Sequence, residues 1–543
     1  MGNTRDGEVQ VLSPQKRPKK FTISNSMDDF PLQTLGSTGL IRTYEFIRVL
    51  IQSLYSLGYS KAASLLEEES GIALHSPDFT LFKTLILEAK WEESIEALHK
   101  INNIGLETRK AALFLILEQE FFEFLNKGDI SLALKVLQCR IAPLRINGER
   151  VRELACCVVW PKFCEDFGAV DKGSSEARVD LLMELQRVLP PEVILPERRL
   201  EHLIEMALEV QRESCVYHNS VVDVLSLYSD HRCGRDQIPT ETLQVLDDHE
   251  DEVWYLQFSN KGKYLASSSR DCTAIIWMPQ VSNDGAVSLK HRLTGHQNPV
   301  SYVSWSPDDT MLLTCGMGEA LRLWSVGTGM CTLTFGKGSS GVTSCAWFPD
   351  SRRFSGGCDN CIYTWDIEGR ELDAWRGPRM PKVSDLAVTP DGAHLVGICA
   401  EKDIRIYALG SKSERVIEEE QPITSLSVSR DGEFILVNLN NQEIHMWDLA
   451  GRLGDPSRFR GHRQSRYVIR SCFGGLDHAF IASGSEDSQI YIWHRRNCEL
   501  IEVLGGHSST VNCVSWNPMN PQMFASASDD RTIRIWGVSR GKK

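Results

Sequence analysis

The chain has 543 residues, 42% of them hydrophobic and 24% charged, with a formal net charge of -13 and a pI near 5.6. That length is too great for one hydrophobic core and predicts two or more domains, while the composition is that of folded soluble domains rather than of disorder. The acidic balance, without a long basic stripe, argues against general nucleic-acid affinity, and no apolar run approaches the ~20 residues that span a bilayer, so neither nucleic acid nor membrane is expected as a partner.

The sixteen cysteines are scattered along the chain, and no secretory signal precedes them, which predicts reduced thiols in a protein of the cytoplasm and nucleus. Cys358 and Cys361 have the spacing of half a zinc site, but no second Cys or His pair stands nearby, so no metal is expected there and no cofactor elsewhere. Asp6 stands where an N-myristoylation signal needs Ser or Thr.

Residues 1–38 lack periodicity and carry Lys16, Arg17, Pro18, Lys19 and Lys20. They read as a disordered basic tail, either a nuclear import signal or simply solvated. From Thr43 a helical period begins, with Ile47, Leu50, Ile51, Leu54 and Leu57 on one face and Arg48, Gln52 and Ser56 on the other. Gly58 stops this helix, and a second starts near Ser60, whose hydroxyl is placed to cap it, with Ala62, Ala63, Leu65 and Leu66 ahead of Glu67, Glu68 and Glu69. Two helices this short cannot bury their apolar faces alone and need a partner. The run through Tyr55, Leu57, Gly58, Tyr59, Ala62, Ala63 and Leu66 resembles the LisH motif, here residues 43–75. The resemblance implies dimerisation through Leu50, Ile51, Leu54, Leu57, Tyr59, Ala62, Leu65 and Leu66.

Helical spacing continues through Phe82, Leu85, Ile86, Ala89, Trp91, Ile95 and Leu98, and then from Ala112 to Leu144. Residues 76–145 look like a CTLH domain. Residues 146–219 predict further helices packing back on it, with Leu181, Leu182, Leu185 and Val188 separated from Leu200, Leu203, Ile204, Ala207 and Val210 by Pro190, Pro191 and Pro196. Residues 220–242 read as a linker.

Internal repeats organise residues 243–543. Short tetrapeptides ending in an aromatic residue close at Trp277, Trp324, Trp365, Tyr407, Trp447, Trp493 and Trp536, at the ~40 to 47 residue interval of WD40 blades. Turn signals such as Ser306–Asp309 and Thr389–Gly392 punctuate alternating runs. The fold class is therefore α plus all-β: an N-terminal helical module followed by a seven-bladed WD40 β-propeller. His249 recurs in register with Asp271 and Trp277, His462 with Asp487 and Trp493, and His507 with Asp530 and Trp536. In the WD40 family these positions form structural tetrads with a strand Ser or Thr, and a buried carboxylate needs such pairing. Blade two carries Gly318 at the Asp position, blade three keeps Asp359 but lacks the His, and blades four and five carry Glu401 and Asn441. Those blades are expected to rest more on apolar packing. The acidic run Glu418, Glu419 and Glu420 reads as a solvated loop.

No GxSxG elbow, phosphate loop or HExxH helix occurs, and repeat register explains the His and Asp residues without chemistry, so the protein is not expected to be an enzyme. In the WD40 family partners bind the narrow top face, which here assigns Glu252, Trp254 and Arg270 in blade one, Lys382 and Ser384 in blade four, Arg466 and Tyr467 in blade six, and Glu486, Asn512 and Asp529 near the closure. Exposed Trp, Tyr and Arg suit a binding surface; a solvated mixed-charge rim would look the same. LisH, CTLH, further helices and one C-terminal propeller, together with the run from Arg198 to Asn219, resemble the WD-repeat subunits of GID/CTLH ubiquitin ligases. The resemblance implies a non-catalytic scaffold that self-associates, joins other LisH/CTLH subunits including a RING-bearing pair, and offers its propeller to substrates or regulators. LisH-WD40 proteins of pre-mRNA splicing and of transcriptional corepression share parts of this architecture and remain the alternative.

Overall fold

The computed structural model describes residues 34–538 except 103, 160–174, 221–224, 280–285, 336–340, 359–360, 377–381 and 453. The basic cluster at 16–20 and Asp359 lie outside the described residues. The chain divides into two compact units, one ending at Ala207 and the other beginning at Leu208.

The first unit is helical. It opens on a two-residue hairpin, Thr34–Leu35 against Ile41–Arg42, so the end of the expected tail is paired backbone. Gly36 and Gly39 supply the positive φ its turn requires. Helix α1 (Thr43–Ser56) and α2 (Ser60–Ser70) follow. Gly58, at φ 85°, ends α1, with the Tyr59 amide donating back to the Leu54 carbonyl at 2.8 Å. Ser60 does not cap α2: Tyr59 holds the N-cap position and no side chain accepts there.

The two faces of α1 are used differently from their amphipathic reading. Arg48 and Gln52, expected on the wet side, are buried. The Arg48 guanidinium donates to the carbonyls of Leu74 (2.9 Å) and Glu192 (3.1 Å), and the Gln52 amide donates to those of Leu195 (3.1 Å) and Pro196 (2.7 Å). The proline-punctuated stretch 190–196 has no helix to satisfy these carbonyls, and a buried carbonyl needs a donor. The polar stripe of α1 provides it.

Helices α3 (Pro77–Leu87), α4 (Trp91–Lys100), α5 (Leu106–Asn126) and α6 (Ile130–Val136) come next. The long pattern from Ala112 to Leu144 is thus interrupted, at Gly128 with φ 82°. Helices α7 (Gly148–Val159) and α8 (Ser175–Val188) complete the bundle, and Leu181, Leu185, Leu189 and Val193 join the core of Phe79, Phe82, Ile86 and Leu98. Helix α5 carries three buried carboxylates, each tied to a different later segment: Glu118 to Arg150 (2.7 Å), Glu120 to Arg140 (2.9 Å) and Glu123 to Arg178 (2.7 Å). Removing one arginine would strand a buried charge. Helix α9 (Arg199–Ser214) follows the prolines as expected but has no buried residue, so its apolar stripe of Leu200, Leu203, Ile204, Ala207 and Val210 does not form part of the bundle core as expected.

The second unit is a ring of seven four-stranded antiparallel sheets. In blade one, Val253–Phe258, Leu265–Ser269, Ala274–Pro279 and Val287–Leu293 run from the inner to the outer edge. Every closing aromatic, from Trp277 to Trp536, lies on the third strand of its blade, and Ser306–Asp309 and Thr389–Gly392 join first strands to second. Blade seven is composite. Its outer strand, Glu241–Leu246, pairs with Ile533–Gly537 and so closes the ring with chain from before blade one. The linker expected at 220–242 is therefore part of the propeller unit. Ile238 lies in the core beside Phe480 and Trp516. Asn219, fully buried, donates to the carbonyls of Gln237 (3.1 Å) and Pro521 (2.7 Å) and accepts from the Leu476 amide (2.9 Å). One side chain thereby fastens the segment to blades six and seven.

Candidate protein-interaction face

Loops of the top face are held by polar sets inside blades one, two and seven. In blade one His249 Nδ1 meets Asp271 Oδ2 at 2.8 Å, its Nε2 meets Ser267 Oγ at 2.8 Å, and Trp277 Nε1 donates to the same hydroxyl at 2.8 Å. Blade seven repeats this with His507, Asp530, Ser526 and Trp536. Burial opposes ionisation of Asp271 and Asp530, but hydrogen bonds from the paired histidine and from Thr273 or Thr532 outweigh it and hold both carboxyls well below the usual range. Each carboxylate also accepts a loop amide, Glu250 or Ser508. The tetrad thus ties together the two loops that carry the top-face residues.

Three blades depart from expectation. In blade six Tyr491 takes the Asp487 carboxylate through its hydroxyl at 2.8 Å, Trp493 donates to the Arg460 carbonyl and Ser483 turns to the Gly484 carbonyl. His462 is left buried with no hydrogen-bond partner of good geometry for either ring nitrogen among the described residues, and burial lowers its pKa to about 4 against the pull of the Gln464 side chain and Asp487. His462, Asp487 and Trp493 therefore do not form the expected tetrad. In blade two the tetrad is complete after all. Glu319, one residue beyond Gly318 and one methylene longer than Asp, reaches His296 Nδ1 at 2.8 Å, while Thr314 joins His296 to Trp324. In blade five the supposed solvated run supplies the missing group: Glu419 is buried, accepts Trp447 Nε1 at 2.6 Å and meets His445 Nδ1 at 3.0 Å.

At the centre of the ring a buried ion pair joins all the inner strands. Arg470, beside the inner strand of blade six, reaches Asp385 of blade four at 2.5 Å and lies over the rings of Tyr255 (5.0 Å) and Tyr302 (4.8 Å) of blades one and two. Asp385 also accepts from Ser344 of blade three and the Leu426 amide of blade five, and the Arg470 amide donates to Asn512 of blade seven. Burial opposes the Arg470 charge, but Asp385 and the two phenols more than offset it and raise its pKa.

The assigned top-face residues sort into two clusters. Glu252 accepts from Trp254 Nε1 at 3.0 Å and from Arg270 at 2.9 Å, leaving the Arg270 side chain half exposed. Asn512 is buried, its amide spent on Asp529 (2.6 Å) and the Val253 carbonyl. It positions rather than presents, which corrects its reading as a binding residue. Burial raises the pKa of Asp529, opposed by the Asn512 amide and aided by Glu252. In the second cluster Glu486 accepts the amides of Ser465, Arg466 and Tyr467, which outweigh its desolvation and lower its pKa. Arg466 and Tyr467 are exposed at the tip of that loop. Beside it a cavity of about 370 Å³ is lined by Gln442, Arg463, Gln464, Ser465, Glu486 and Asp487. Lys382 is exposed and Ser384 partly buried in blade four.

In the helical unit the residues expected to dimerise divide as well. Leu57 and Tyr59 are each 63% exposed and Leu65 57%; Ala62 is exposed, and Leu50, Leu54 and Leu66 are partly buried. Ile51 is fully buried and faces its own core, so it is not available to a partner. No helix among the described residues is long and apolar enough to cross a membrane.

A ring of seven blades, braced by tetrads in blades one, two and seven, presenting aromatic and arginine side chains on its loops and preceded by a short helical pair with an exposed apolar face, defines a WD40-propeller protein of the LisH type. Residues 32–76 match the WDR26 Lis-homology domain, and 240–278, 287–325, 329–366, 456–494 and 498–537 match the WD domain, G-beta repeat. The unmatched blades four and five carry Glu401 and Asn441 at the Asp position. The chain is 55% identical to the WD repeat-containing protein WDS homolog of Arabidopsis thaliana, covering 94% of this chain and 98% of that protein. It is 50% identical to the WD repeat-containing protein 26 homolog of the same plant, covering 95% and 90%, and 36% identical to GID complex subunit 7 of Schizosaccharomyces pombe, covering 91% and 96%. The chain belongs to this family of LisH- and WD40-containing proteins.

Proposed function

We propose that the chain is a non-catalytic scaffold and recruiting subunit of a CTLH-type ubiquitin ligase, acting in the cytoplasm and nucleus. The observation that carries this reading is the near full-length similarity to a protein named GID complex subunit 7. The exposed Leu57, Tyr59 and Leu65 supply a self-association face, residues 76–145 a CTLH surface for other subunits, and the loops bearing Arg270, Arg466 and Tyr467 a docking face for substrates or regulators. The RING-bearing pair that transfers ubiquitin belongs to other chains in this arrangement. Affinity capture of the tagged full chain from cells, scored by mass spectrometry, tests it. Recovery of RING-bearing CTLH partners is expected; spliceosomal or corepressor partners in their place would overturn it.

A further inference from the structure

Where the chain enters the propeller, Cys215, His231 and Cys233 gather, with His218 beside them. Cys215 and His218 follow the end of α9, and His231 and Cys233 come from the stretch before the ring-closing strand. His218 Nδ1 lies 3.0 Å from His231 Nε2 and 3.4 Å from Cys233 Sγ, and His231 Nε2 lies 3.2 Å from Cys233 Sγ. Cys215 Sγ falls within 4.8 Å of the His231 and Cys233 ligand atoms. Around a tetrahedral zinc, with bonds of ~2.3 Å to sulfur and ~2.0 Å to nitrogen, neighbouring ligand atoms sit roughly 3.3 to 3.8 Å apart. Three of the four side chains already stand near that separation.

The surroundings support the same chemistry. The Cys233 amide donates to Cys215 Sγ at 3.2 Å, a bond that stabilises a thiolate. Gln211 accepts the His231 amide through its side-chain oxygen at 3.3 Å and donates to Asp230 at 3.4 Å, holding the histidine in place as outer groups do at metal sites. The His218 and His231 rings meet edge to face, 4.9 Å apart at 78°, and do not stack.

We propose that Cys215, His218, His231 and Cys233 bind one structural zinc ion. Two thiolates and two neutral imidazoles are the soft and borderline donor set that selects zinc, and four protein ligands leave no open position for catalysis. On binding, the two thiols release their protons to solvent and the imidazoles ligate through their lone pairs. The ion joins the end of α9 to the segment that Asn219 fastens on blades six and seven. Its role is to hold the entrance to the propeller, and it does not depend on the ligase reading.

The test is metal analysis of the full chain purified without chelator from zinc-supplemented cells, beside the C215S/C233S double variant and C331S, which alters an exposed cysteine in blade two. About one zinc per chain is expected for wild type and C331S, with loss in the double variant. Should the double variant misfold, cobalt exchange into wild type decides: tetrahedral visible bands with a sulfur charge-transfer band are expected. Zinc no higher in wild type than in the double variant, or exchange without those bands, would overturn the proposal in favour of a hydrogen-bonded thiol and imidazole cluster. A Cys215–Cys233 disulfide in the purified chain would overturn it equally.

Discussion

Arg470 Nη1 stands 2.5 Å from Asp385 Oδ2, linking blade six to blade four through the middle of the ring. Asp385 is almost wholly buried and the Arg470 side chain is 14% exposed, so each compensates the other for lost water. Replacing Arg470 by Met leaves the Asp385 carboxylate buried without its cation and is expected to destabilise the propeller by about 3 to 5 kcal/mol. Adding Asp385→Asn should recover part of that loss, measured by denaturant unfolding of the full chain. Equal stability of the single variant and the wild type would show that the pair is dispensable.

Blades seven and six make opposite predictions at equivalent positions. Ser526 serves both His507 and Trp536, and Ser526→Ala strands two buried nitrogens, destabilising by about 1 to 3 kcal/mol. Among the described residues neither ring nitrogen of His462 has a partner of good geometry, so His462→Leu is expected to be neutral or stabilising at pH 7 by the same reasoning. Thermal melts of the two variants read the contrast directly.

The pH dependence follows with a definite sign. His462, with its pKa lowered to about 4, stays neutral in the fold while the unfolded chain protonates near pH 6.5. Its contribution is complete above about pH 6.5 and is lost as pH falls toward 4, by about 3 kcal/mol at most. His75 in the helical unit, also lowered to about 4 by burial, Lys83 and Arg48, behaves alike. Asp271, Asp530 and Glu319 have depressed pKa values, so their contribution is present above roughly pH 4 and is lost only below it. The His462→Leu propeller should therefore melt with a flatter pH profile between 6.5 and 4, and an unchanged slope below 4. A slope unaltered in the upper window would contradict the burial of a neutral imidazole.

Leu57 and Leu65 expose their side chains on the α1–α2 face. A Leu57→Glu, Leu65→Glu double variant is expected to fold normally, because neither side chain belongs to a core, and to lose self-association, since burying an ordinary leucine contributes ~1.5 to 3 kcal/mol. Light scattering should show a lower mass with an unchanged circular dichroism spectrum. Retention of the wild-type mass would place the self-association surface elsewhere.

The repeat of closing aromatics was enough to read seven blades, because each sits at the same strand position and burial enforces the interval. Pattern alone failed where chemistry is displaced by a residue or borrowed from another strand. Glu319 substitutes for Asp one position late, and Glu419 reaches Trp447 from the acidic loop; neither stands in tetrad register. Arg48 and Gln52 misled for a different reason, since amphipathicity assigns polar residues to water unless a distant segment brings carbonyls needing donors. The ring-closing strand 241–246 pairs with residues almost three hundred positions away, and local periodicity carries no trace of that partner. Cys215 and His218 are separated in sequence from His231 and Cys233, and only the fold brings the two pairs together.

The measurement closest to the central claim is sedimentation of the RING-bearing CTLH subunits from cell extracts with this chain present, absent, or replaced by the Leu57→Glu, Leu65→Glu variant. A scaffold of the kind proposed keeps those subunits in a high-mass assembly, so they should shift to smaller species when the chain is absent and when the variant replaces it. An unchanged profile in both cases would contradict the account.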